Sequence, residues 1–261
     1  MSASAKYEVL KHHFDNLEQQ HATEKLGMWM FLVTEVLFFS GLFVAYTVYR
    51  NQNPAEFGFA SSHLVLWIAA VNTVLLITSS LTMTMAIRAA QLGRKAELLR
   101  YLALTFALGA GFMGFKAFEY YTDIHEKFVP GSMFQQEYAR AVEHQKHGSA
   151  AKPAEAPIEH WAHALAENNA GKEPGVEGYI VPERVQLFLC FYYVMTGIHG
   201  IHIIAGLGCI LWLMMLTKCD KMPPERYATV EIISLYWHLV DMIWLFLMPL
   251  LYLISAGTKG H

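Results

Sequence analysis

One carboxylate lies in the middle of a long apolar segment of this chain. Glu35 follows Leu26 by nine residues, in an apolar run that continues to Tyr46. A run of about 20 apolar residues predicts a transmembrane helix. A carboxylate inside such a helix costs about 2.5–3.5 kcal/mol on insertion scales, so it indicates a functional site. The residues three and four positions away on its helix face are apolar, so its partner must come from another helix, from lipid or from water.

Other apolar runs carry polar residues whose spacing places them on one helix face. The last run has such a stripe, with members three or four residues apart: Glu231, Ser234, His238 and Asp241. The run before it places His199 and His202 on one stripe, and earlier runs contribute Asn72 and Glu119. If the first and last runs begin at the same interface, Glu35, His238 and Asp241 lie at a similar depth. A buried polar cluster that joins these helices is therefore expected.

Three kinds of chemistry fit these residues. They can hydrogen-bond across helices where lipid offers no partner, they can relay protons or hold a lipid headgroup, or they can ligate a metal or haem. His199 and His202 form the metal-like pair, but no third ligand completes a recognised spacing. The three cysteines form no CxxC pair, so a disulfide or a cysteine metal site is not expected.

The elements that must position these residues are helices. The chain has 261 residues, of which 54% are hydrophobic and only 16% are charged, whereas soluble domains have about 25% charged residues. Five apolar runs, at about 26–49, 63–87, 101–121, 186–216 and 231–255, predict an all-α integral membrane protein with five transmembrane helices. A net charge of −3 gives no reason to expect nucleic-acid binding.

Two further patterns concern how these helices lie and pack. Aromatic residues near the ends of the runs predict an interfacial belt: Trp29, Tyr46, Tyr49, Trp67, Tyr101, Tyr120, Tyr121, Trp212 and Tyr252. Glycines within the third and fourth runs predict helix surfaces that pack closely: Gly109, Gly111, Gly114, Gly197, Gly200, Gly206 and Gly208.

Basic residues predict the orientation. The link 88–100 carries four of them and the link 217–230 carries three, whereas the link 50–62 carries only Arg50. The positive-inside rule then places the N-terminus in the cytoplasm and, after five spans, the C-terminus on the opposite, periplasmic side. The chain divides into a polar cytoplasmic segment, 1–25, and a membrane domain, 26–261, that includes a long periplasmic loop at about 122–185.

That loop is unusual because it is long and rich in histidine. It holds five of them: His125, His144, His147, His160 and His163. One interpretation is a metal-binding or partner-docking insertion. The other is a solvated, partly helical loop whose histidines have no specific role.

Five segments, in order, resemble subunit III of the haem-copper cytochrome c oxidases. The first is LGMWMFLVTEVLFF, at 26–39, which contains Glu35. VNTVLL at 71–76 and AFEYY at 117–121 resemble parts of the next two helices. The most specific matches are TGIHGIHIIAG at 196–206 and YWHLVDMIWLF at 236–246. The polar segment 1–25 leads straight into the Glu-bearing helix, so the chain resembles the five-helix bacterial form, and its loop 122–185 is longer than in usual members.

The resemblance implies an accessory subunit of a proton-translocating terminal oxidase in the bacterial cytoplasmic membrane. The complex passes electrons from cytochrome c to O2 and is an oxidoreductase, but this chain is expected to have no catalytic centre and no redox centre of its own. Haems and copper belong to partner subunits I and II. The subunit supports stability, proton uptake and phospholipid binding, and Glu35 matches the family's carbodiimide-reactive carboxylate. A quinol-oxidising complex in a supercomplex is a further candidate partner.

Two alternatives stay open from the sequence. The same fold occurs in quinol oxidases and in accessory proteins of nitric oxide reductase, and Glu35 in the first span favours the cytochrome c branch. A protein of another class, a stand-alone proton-coupled transporter, would use Glu35, His238 and Asp241, but the chain shows no inverted repeat.

Overall fold

The fold is all-helical throughout the part of the chain that the structure, a computed structural model, describes, namely residues 16–147, 158–219 and 227–253. These ranges contain eight α-helices: α1 (Leu17–Gln52), α2 (Pro54–Ser62), α3 (Leu66–Gln91), α4 (Lys95–His125), α5 (Ser132–His147), α6 (His160–Asn169), α7 (Pro182–Lys218) and α8 (Tyr227–Tyr252). The first 15 residues of the predicted N-terminal segment lie outside the described residues.

Five of these helices are long and apolar enough to cross a membrane: α1, α3, α4, α7 and α8. They confirm the five predicted spans. Most of these helices are longer than the apolar runs that predicted them, because backbone hydrogen bonds can continue a helix into polar residues. For example, α7 has 37 residues. The link 50–62 also contains a helix, α2, which begins at Pro54, a residue whose fixed φ and missing N–H suit the first helical turn.

The chain forms two compact units, and the five long helices contribute residues to both. The first unit contains the described residues among 1–43, 71–114 and 198–246, and the second contains those among 44–70, 115–197 and 247–261. Each unit has its own buried side chains and its own polar groups.

In the first unit, two glycines make room for the ring of Trp237. A Cβ atom at Gly109 would lie 2.7 Å from Trp237 Cη2, and one at Gly206 would lie 2.8 Å from Trp237 Cε3. The indole is held in place because its Nε1–H donates to Ser79 Oγ at 3.1 Å. The prediction of close packing is therefore right for these two glycines, whereas a Cβ at Gly208 would meet no atom within 4 Å.

In the second unit, side chains satisfy the carbonyls at the end of α8. The last carbonyls of a helix have no partner within the helix. The hydroxyl of Tyr46 donates to Leu250 O at 2.6 Å, and the hydroxyl of Ser61 donates to Leu251 O at 2.8 Å. These bonds connect the end of α8 to α1 and α2.

Two residues of the predicted aromatic belt are buried in the core, and for the others the belt stays a prediction. Trp67 and Tyr121, for example, are 71% and 68% exposed, as an interfacial position requires. Tyr46 and Tyr252 are at most 2% exposed, so they are core residues. Their hydroxyls bond to buried protein groups instead of reaching an interface, which the position of a tyrosine near the end of an apolar run does not reveal.

The described part of the predicted periplasmic loop is folded around two short helices. Phe134 of α5 stacks on Trp161 of α6, with 4.4 Å between ring centroids. The Trp161 indole donates to Glu126 O at 2.8 Å, and Asn169 bonds to the backbone of Ile180 through both its amide nitrogen and its oxygen. We call Phe128–Ile180, in its described part, the helical insertion. The expectation that this loop is partly helical is confirmed, whereas the role of its histidines stays a prediction.

A buried carboxylate ties the helical insertion together. Glu137 is 2% exposed at its side chain and accepts from Lys127 Nζ at 2.7 Å, from Arg140 Nη1 at 2.9 Å and from the backbone N–H of Glu159 at 3.1 Å. Burial by itself raises the pKa of this carboxyl. The hydrogen bonds from Lys127 and Glu159 and the two positive charges outweigh burial, so the pKa of Glu137 is lowered from its usual value.

The histidines of this region form ring pairs instead of a ligand set. His144 and His163 lie 5.6 Å apart between ring centroids, and His63 and His160 lie 6.4 Å apart. The pKa of His63 is lowered from its usual value, first because burial disfavours the imidazolium and also because His160 is near. No group of three or more His, Cys, Asp or Glu side chains converges as a metal ligand set within the described ranges. The side chain of His147 lies outside the described part.

Replacing Gly206 with alanine should destabilise the protein by about 1–3 kcal/mol, because the new methyl group overlaps a tryptophan ring that Ser79 holds in place. The matched control is Gly208→Ala, where the methyl group meets open space and the gain in helix propensity is up to about 1 kcal/mol. The free energy of unfolding in mixed micelles, titrated with dodecyl sulfate, measures both. Equal values for the two variants would contradict the close contact.

The helical insertion should open in acid. Because the pKa of Glu137 is lower in the folded chain than in the unfolded one, its stabilisation is present above the unfolded value of about 4.3 and is lost as pH falls through the folded value. Glu137→Gln should weaken the insertion by about 1–3 kcal/mol at pH 7 and remove this acid dependence.

Hydrogen exchange of the α5 and α6 amides, corrected for intrinsic rates, measures this opening at pH 7 and pH 3. Glu143→Gln, on the exposed side of α5, is the control and should behave as the wild type does. If Glu137→Gln retains wild-type protection at pH 7, then Glu137 does not tie the insertion together.

Candidate intramembrane polar sites

The intramembrane carboxylate Glu35 has a partner on another helix. Its Oε2 lies 2.9 Å from Nε2 of His202, which joins α1 to α7 in the first unit. The side chains are 18% and 20% exposed, so the pair lies near the surface of the unit. Phe39 packs edge-on against the imidazole at 5.5 Å, and Tyr236 donates to His202 O at 3.0 Å. The sequence predicted the need for a partner and included His202 among the candidates.

The hydrogen bonds of His202 determine where its protons lie. Its Nδ1 is 2.9 Å from the carbonyl oxygen of Ile198. A carbonyl only accepts, so Nδ1 carries a hydrogen and donates it. Nε2 then faces Glu35 either as the acceptor of a carboxylic O–H or as the donor of an imidazolium N–H. In both cases one proton lies between the two side chains, and the pair as a whole is neutral.

His238 and Asp241 belong to a different group of polar residues. His238 Nδ1 lies 2.6 Å from Ser80 Oγ, which joins α8 to α3. Asp241 is 6% exposed, and the Ser80 hydroxyl also lies within hydrogen-bonding reach of its carboxyl. The expected joint cluster of Glu35, His238 and Asp241 is therefore divided, at the level of hydrogen bonds, into a Glu35–His202 pair and a Ser80–His238 pair with Asp241 beside it.

His199 and Asn72 are deeply buried in the first unit. His199 is 1% exposed, and its ring stacks on that of Trp244 at 5.5 Å with 27° between the ring planes and lies edge-on to Phe112 at 5.8 Å. His199 and His202, the candidate metal pair, thus have different neighbours. Asn72 is 0% exposed, and no hydrogen-bond partner for its amide is found within the described ranges.

Glu231 forms a more exposed contact. Its Oε1 lies 3.0 Å from Lys25 Nζ, with 28% and 39% of the two side chains exposed. A pair this exposed contributes about 0–1 kcal/mol to stability. It connects the beginning of α8 with α1 and has no catalytic geometry.

Glu119 lies in a buried network of the second unit. Its Oε2 accepts from Lys116 Nζ at 2.8 Å, and its Oε1 accepts from the hydroxyl of Tyr252 at 2.6 Å. Lys116 also donates to the hydroxyls of Tyr252 at 3.0 Å and Tyr192 at 3.2 Å. Both charged side chains are at least 93% buried, and breaking such a pair is strongly destabilising because it leaves a buried charge.

Further polar residues extend this network along α4 and α7. The hydroxyl of Tyr193 donates to Asp123 at 3.3 Å, and Tyr120 and Thr196 share a hydrogen bond. Glu119 was among the polar residues named from the sequence, but the contributions of Tyr252 and Asp123 were missed. In the sequence, Asp123 and Tyr252 are a carboxylate and a tyrosine near helix ends. Residues of these types at such positions usually indicate an interface, so the sequence did not predict that they belong to a buried network.

The Glu35–His202 hydrogen bond should be measurable as a coupling energy. Glu35→Leu and His202→Leu should each destabilise the protein, and a double-mutant cycle should give a coupling of about 0.5–1.5 kcal/mol. Glu35→Gln should cost less than Glu35→Leu, because an amide can donate to Nε2 through its N–H or accept from it through its oxygen, whichever role the carboxyl has.

The control for this cycle is Thr34→Val, since the Thr34 hydroxyl donates to Phe31 O of its own helix and to no other group among the described residues. Unfolding in mixed micelles supplies the free energies. A coupling of zero between Glu35 and His202 would show that the contact does not stabilise the fold.

Comparisons with known proteins identify a family for this chain. The family model for "Cytochrome c oxidase subunit III" matches residues 12–135 and 184–256. The match covers the five long helices, except the first two residues of α7, and leaves 136–183 outside, which includes most of the helical insertion.

Curated relatives come from both branches of terminal oxidases. A "Probable cytochrome c oxidase subunit 3" of Nocardia farcinica is 26% identical over 229 residues, which cover 88% of this chain and 87% of the relative. A "Cytochrome bo(3) ubiquinol oxidase subunit 3" of Pseudomonas putida is 26% identical, with 88% and 86% covered. A "Cytochrome c oxidase subunit 3" of Synechocystis is 28% identical, with 87% and 74% covered. From the extent of the family match and these relatives, we conclude that the chain is a membrane protein that belongs to the cytochrome c oxidase subunit III family.

Proposed function

We propose that this chain is the accessory subunit III of a proton-translocating terminal oxidase in the cytoplasmic membrane of a bacterium. It lies beside the catalytic subunits I and II, which carry the haems and copper, and has no redox centre of its own. The observation that carries this proposal is the family match across all five long helices, including the Glu35 helix. The complex reduces O2 with electrons from cytochrome c and acts as an oxidoreductase; this chain contributes no catalytic residue.

The proposed orientation has a cytoplasmic N-terminal segment, 1–25, and a periplasmic C-terminus. It is supported by the basic residues at the turn between α3 and α4, where Arg88, Arg94, Lys95 and Arg100 lie close together in sequence. The helical insertion is then periplasmic. Its ion pairs around Glu137 and its exposed carboxylates are suited to water, in agreement with this side assignment.

Glu35 and His202 are proposed to take part in proton handling near the catalytic subunit or to bind a lipid headgroup there. The pair holds one proton and is 18–20% exposed, so it is accessible to a neighbour. The Lys116–Glu119 network has a different proposed role. Lys116 and Glu119 are almost fully buried and bond to Tyr192 and Tyr252 as well as to each other. These contacts favour a structural role in joining α4, α7 and α8.

The electron donor has two candidates. The name of the Nocardia relative specifies cytochrome c and that of the Pseudomonas relative specifies ubiquinol, at the same 26% identity. The position of Glu35 in the first span favours cytochrome c. A stand-alone proton-coupled transporter does not agree with the family match.

The test is purification of the native complex through an affinity tag on this chain. Haem-bearing subunits should co-purify in mild detergent, and the complex should consume O2 with reduced cytochrome c faster than with a quinol. An untagged strain is the control for non-specific retention. If the tagged chain is recovered as a haem-free single protein from membranes that contain active oxidase, the proposal is overturned. Faster turnover with quinol would reassign the donor alone.

A further inference from the structure

The turn between α3 and α4 concentrates positive charge at one end of the first unit. The segment 88–100 carries Arg88, Arg94, Lys95 and Arg100 against a single acid, Glu97, so its net charge is +3. All four basic residues are exposed. Arg88 lies in the last turn of α3 and Lys95 begins α4, so the charges lie where two apolar helices end. Phospholipid headgroups lie at this depth, just outside the hydrocarbon core.

The backbone of this turn is well defined. Gly93 has a φ of +67°, in the left-handed region that favours glycine. Its N–H donates to Ala90 O at 3.1 Å, and the Arg94 N–H donates to Ala89 O at 2.9 Å, which is the hydrogen-bond pattern of a Schellman helix end. Arg94 and Lys95 are therefore attached to an ordered backbone, which lowers the entropic cost of gathering their charges around one ligand.

A small surface pocket lies at this turn. Arg94, Lys95 and Tyr227, the first residue of α8, line it together with the apolar residues Ala89, Ala90 and Leu98. The basic side chains and the tyrosine supply N–H and O–H donors, and a phosphate group accepts hydrogen bonds from such donors. The positive-inside rule accounts for the sign of the charges but not for the pocket that two of them line.

The acid of this segment does not close the site. Arg94 Nη1 lies 3.3 Å from Glu97 Oε1, and the two side chains are 60% and 36% exposed. A pair this exposed contributes little to stability, because water screens it and both side chains lose freedom when they form it. A phosphate group can therefore take the place of the carboxylate as the partner of the Arg94 guanidinium.

We propose that the turn between α3 and α4 binds the phosphate headgroup of an anionic phospholipid. Arg94 and Lys95 hold the phosphate, and the net charge favours an anionic headgroup over a zwitterionic one. The acyl chains lie along apolar surface on the membrane side of the turn, where Met85 of α3 and Leu104 of α4 are 38% and 47% exposed. This inference goes beyond the proposed function, because it needs a membrane and does not depend on which oxidase the chain belongs to.

The first test compares lipid affinities by native mass spectrometry. The tagged full-length chain, purified with its accompanying subunits in mild detergent, is titrated with phosphatidylglycerol or phosphatidylcholine. The wild type should bind phosphatidylglycerol at least about fivefold more tightly. Lys95→Gln should weaken phosphatidylglycerol binding about fivefold, the contribution of one basic residue near an anionic surface, whereas Lys95→Arg should stay within about twofold of the wild type.

The matched control is Lys218→Gln, which removes the same charge from an exposed residue at the end of α7, outside the pocket. This variant should bind phosphatidylglycerol within about twofold of the wild type, because the lysine lies away from the bound phosphate. Equal losses in Lys95→Gln and Lys218→Gln, or equal affinities of the wild type for the two lipids, would overturn the proposal.

A free phosphate ion offers the same chemistry as the headgroup, so a competition experiment separates the two ligands. Millimolar inorganic phosphate, added at constant ionic strength to keep screening unchanged, should leave phosphatidylglycerol bound. The lipid has the advantage because its acyl chains also bury apolar surface. Displacement of the lipid would assign the turn to a free phosphate and overturn the lipid assignment.

The second test uses photo-cross-linking in intact membranes. Benzoylphenylalanine replaces Leu92, within the turn, or Met215, near the end of α7, and these residues are 56% and 54% exposed. Mass spectrometry of the lipid adducts should find the anionic fraction about threefold higher at position 92 than at position 215. The same lipid composition at both positions would refute the site. If phosphatidylglycerol binds as expected but no haem-bearing subunit accompanies the chain, the proposed function fails and the lipid site stands.

Discussion

The constraint on which this structure depends is the absence of water as a hydrogen-bond partner. In the hydrocarbon region each polar group needs a partner from protein, and the long helices satisfy their own backbones first. The groups that still need hydrogen-bond partners are those at the helix ends and on the polar side chains. The hydroxyls of Tyr46 and Ser61 cover the last carbonyls of α8, and the carboxyl of Glu35 bonds to His202. The same requirement explains why Lys116 and Glu119 occur together, since either alone would be a buried charge.

Sequence patterns predicted the helices well because hydrophobic length depends on neighbouring residues alone. They identified Glu35 and placed His199, His202, His238 and Asp241 on faces of the correct helices. They did not identify the pairs, since periodicity gives the face of a helix and not the helix opposite to it. His202 and His238 were equally plausible partners for Glu35 until three-dimensional packing brought α7 to α1. Tyr252 was assigned to an interface for the same reason: its burial depends on Glu119, 133 residues away.

The helical insertion shows the same limit in a polar setting. Its length and histidines were evident, but its cohesion depends on a carboxylate, Glu137, whose partners come from three separate points of the chain. The family match leaves most of this region outside. A region that packs on its own aromatic pair, Phe134 and Trp161, can vary in length between relatives without disturbing the five long helices.

The separation between partners also determines the order of events during synthesis. Lys116 and Glu119 are three residues apart on one helix, so their charges neutralise each other as soon as that helix forms. Glu35 and His202 are 167 residues apart. At about 5–20 residues per second, α1 waits roughly 10–30 s for its imidazole partner to be made. During that interval the carboxyl of the first helix is without this imidazole, so the Glu35–His202 bond can form only after α7 has been made.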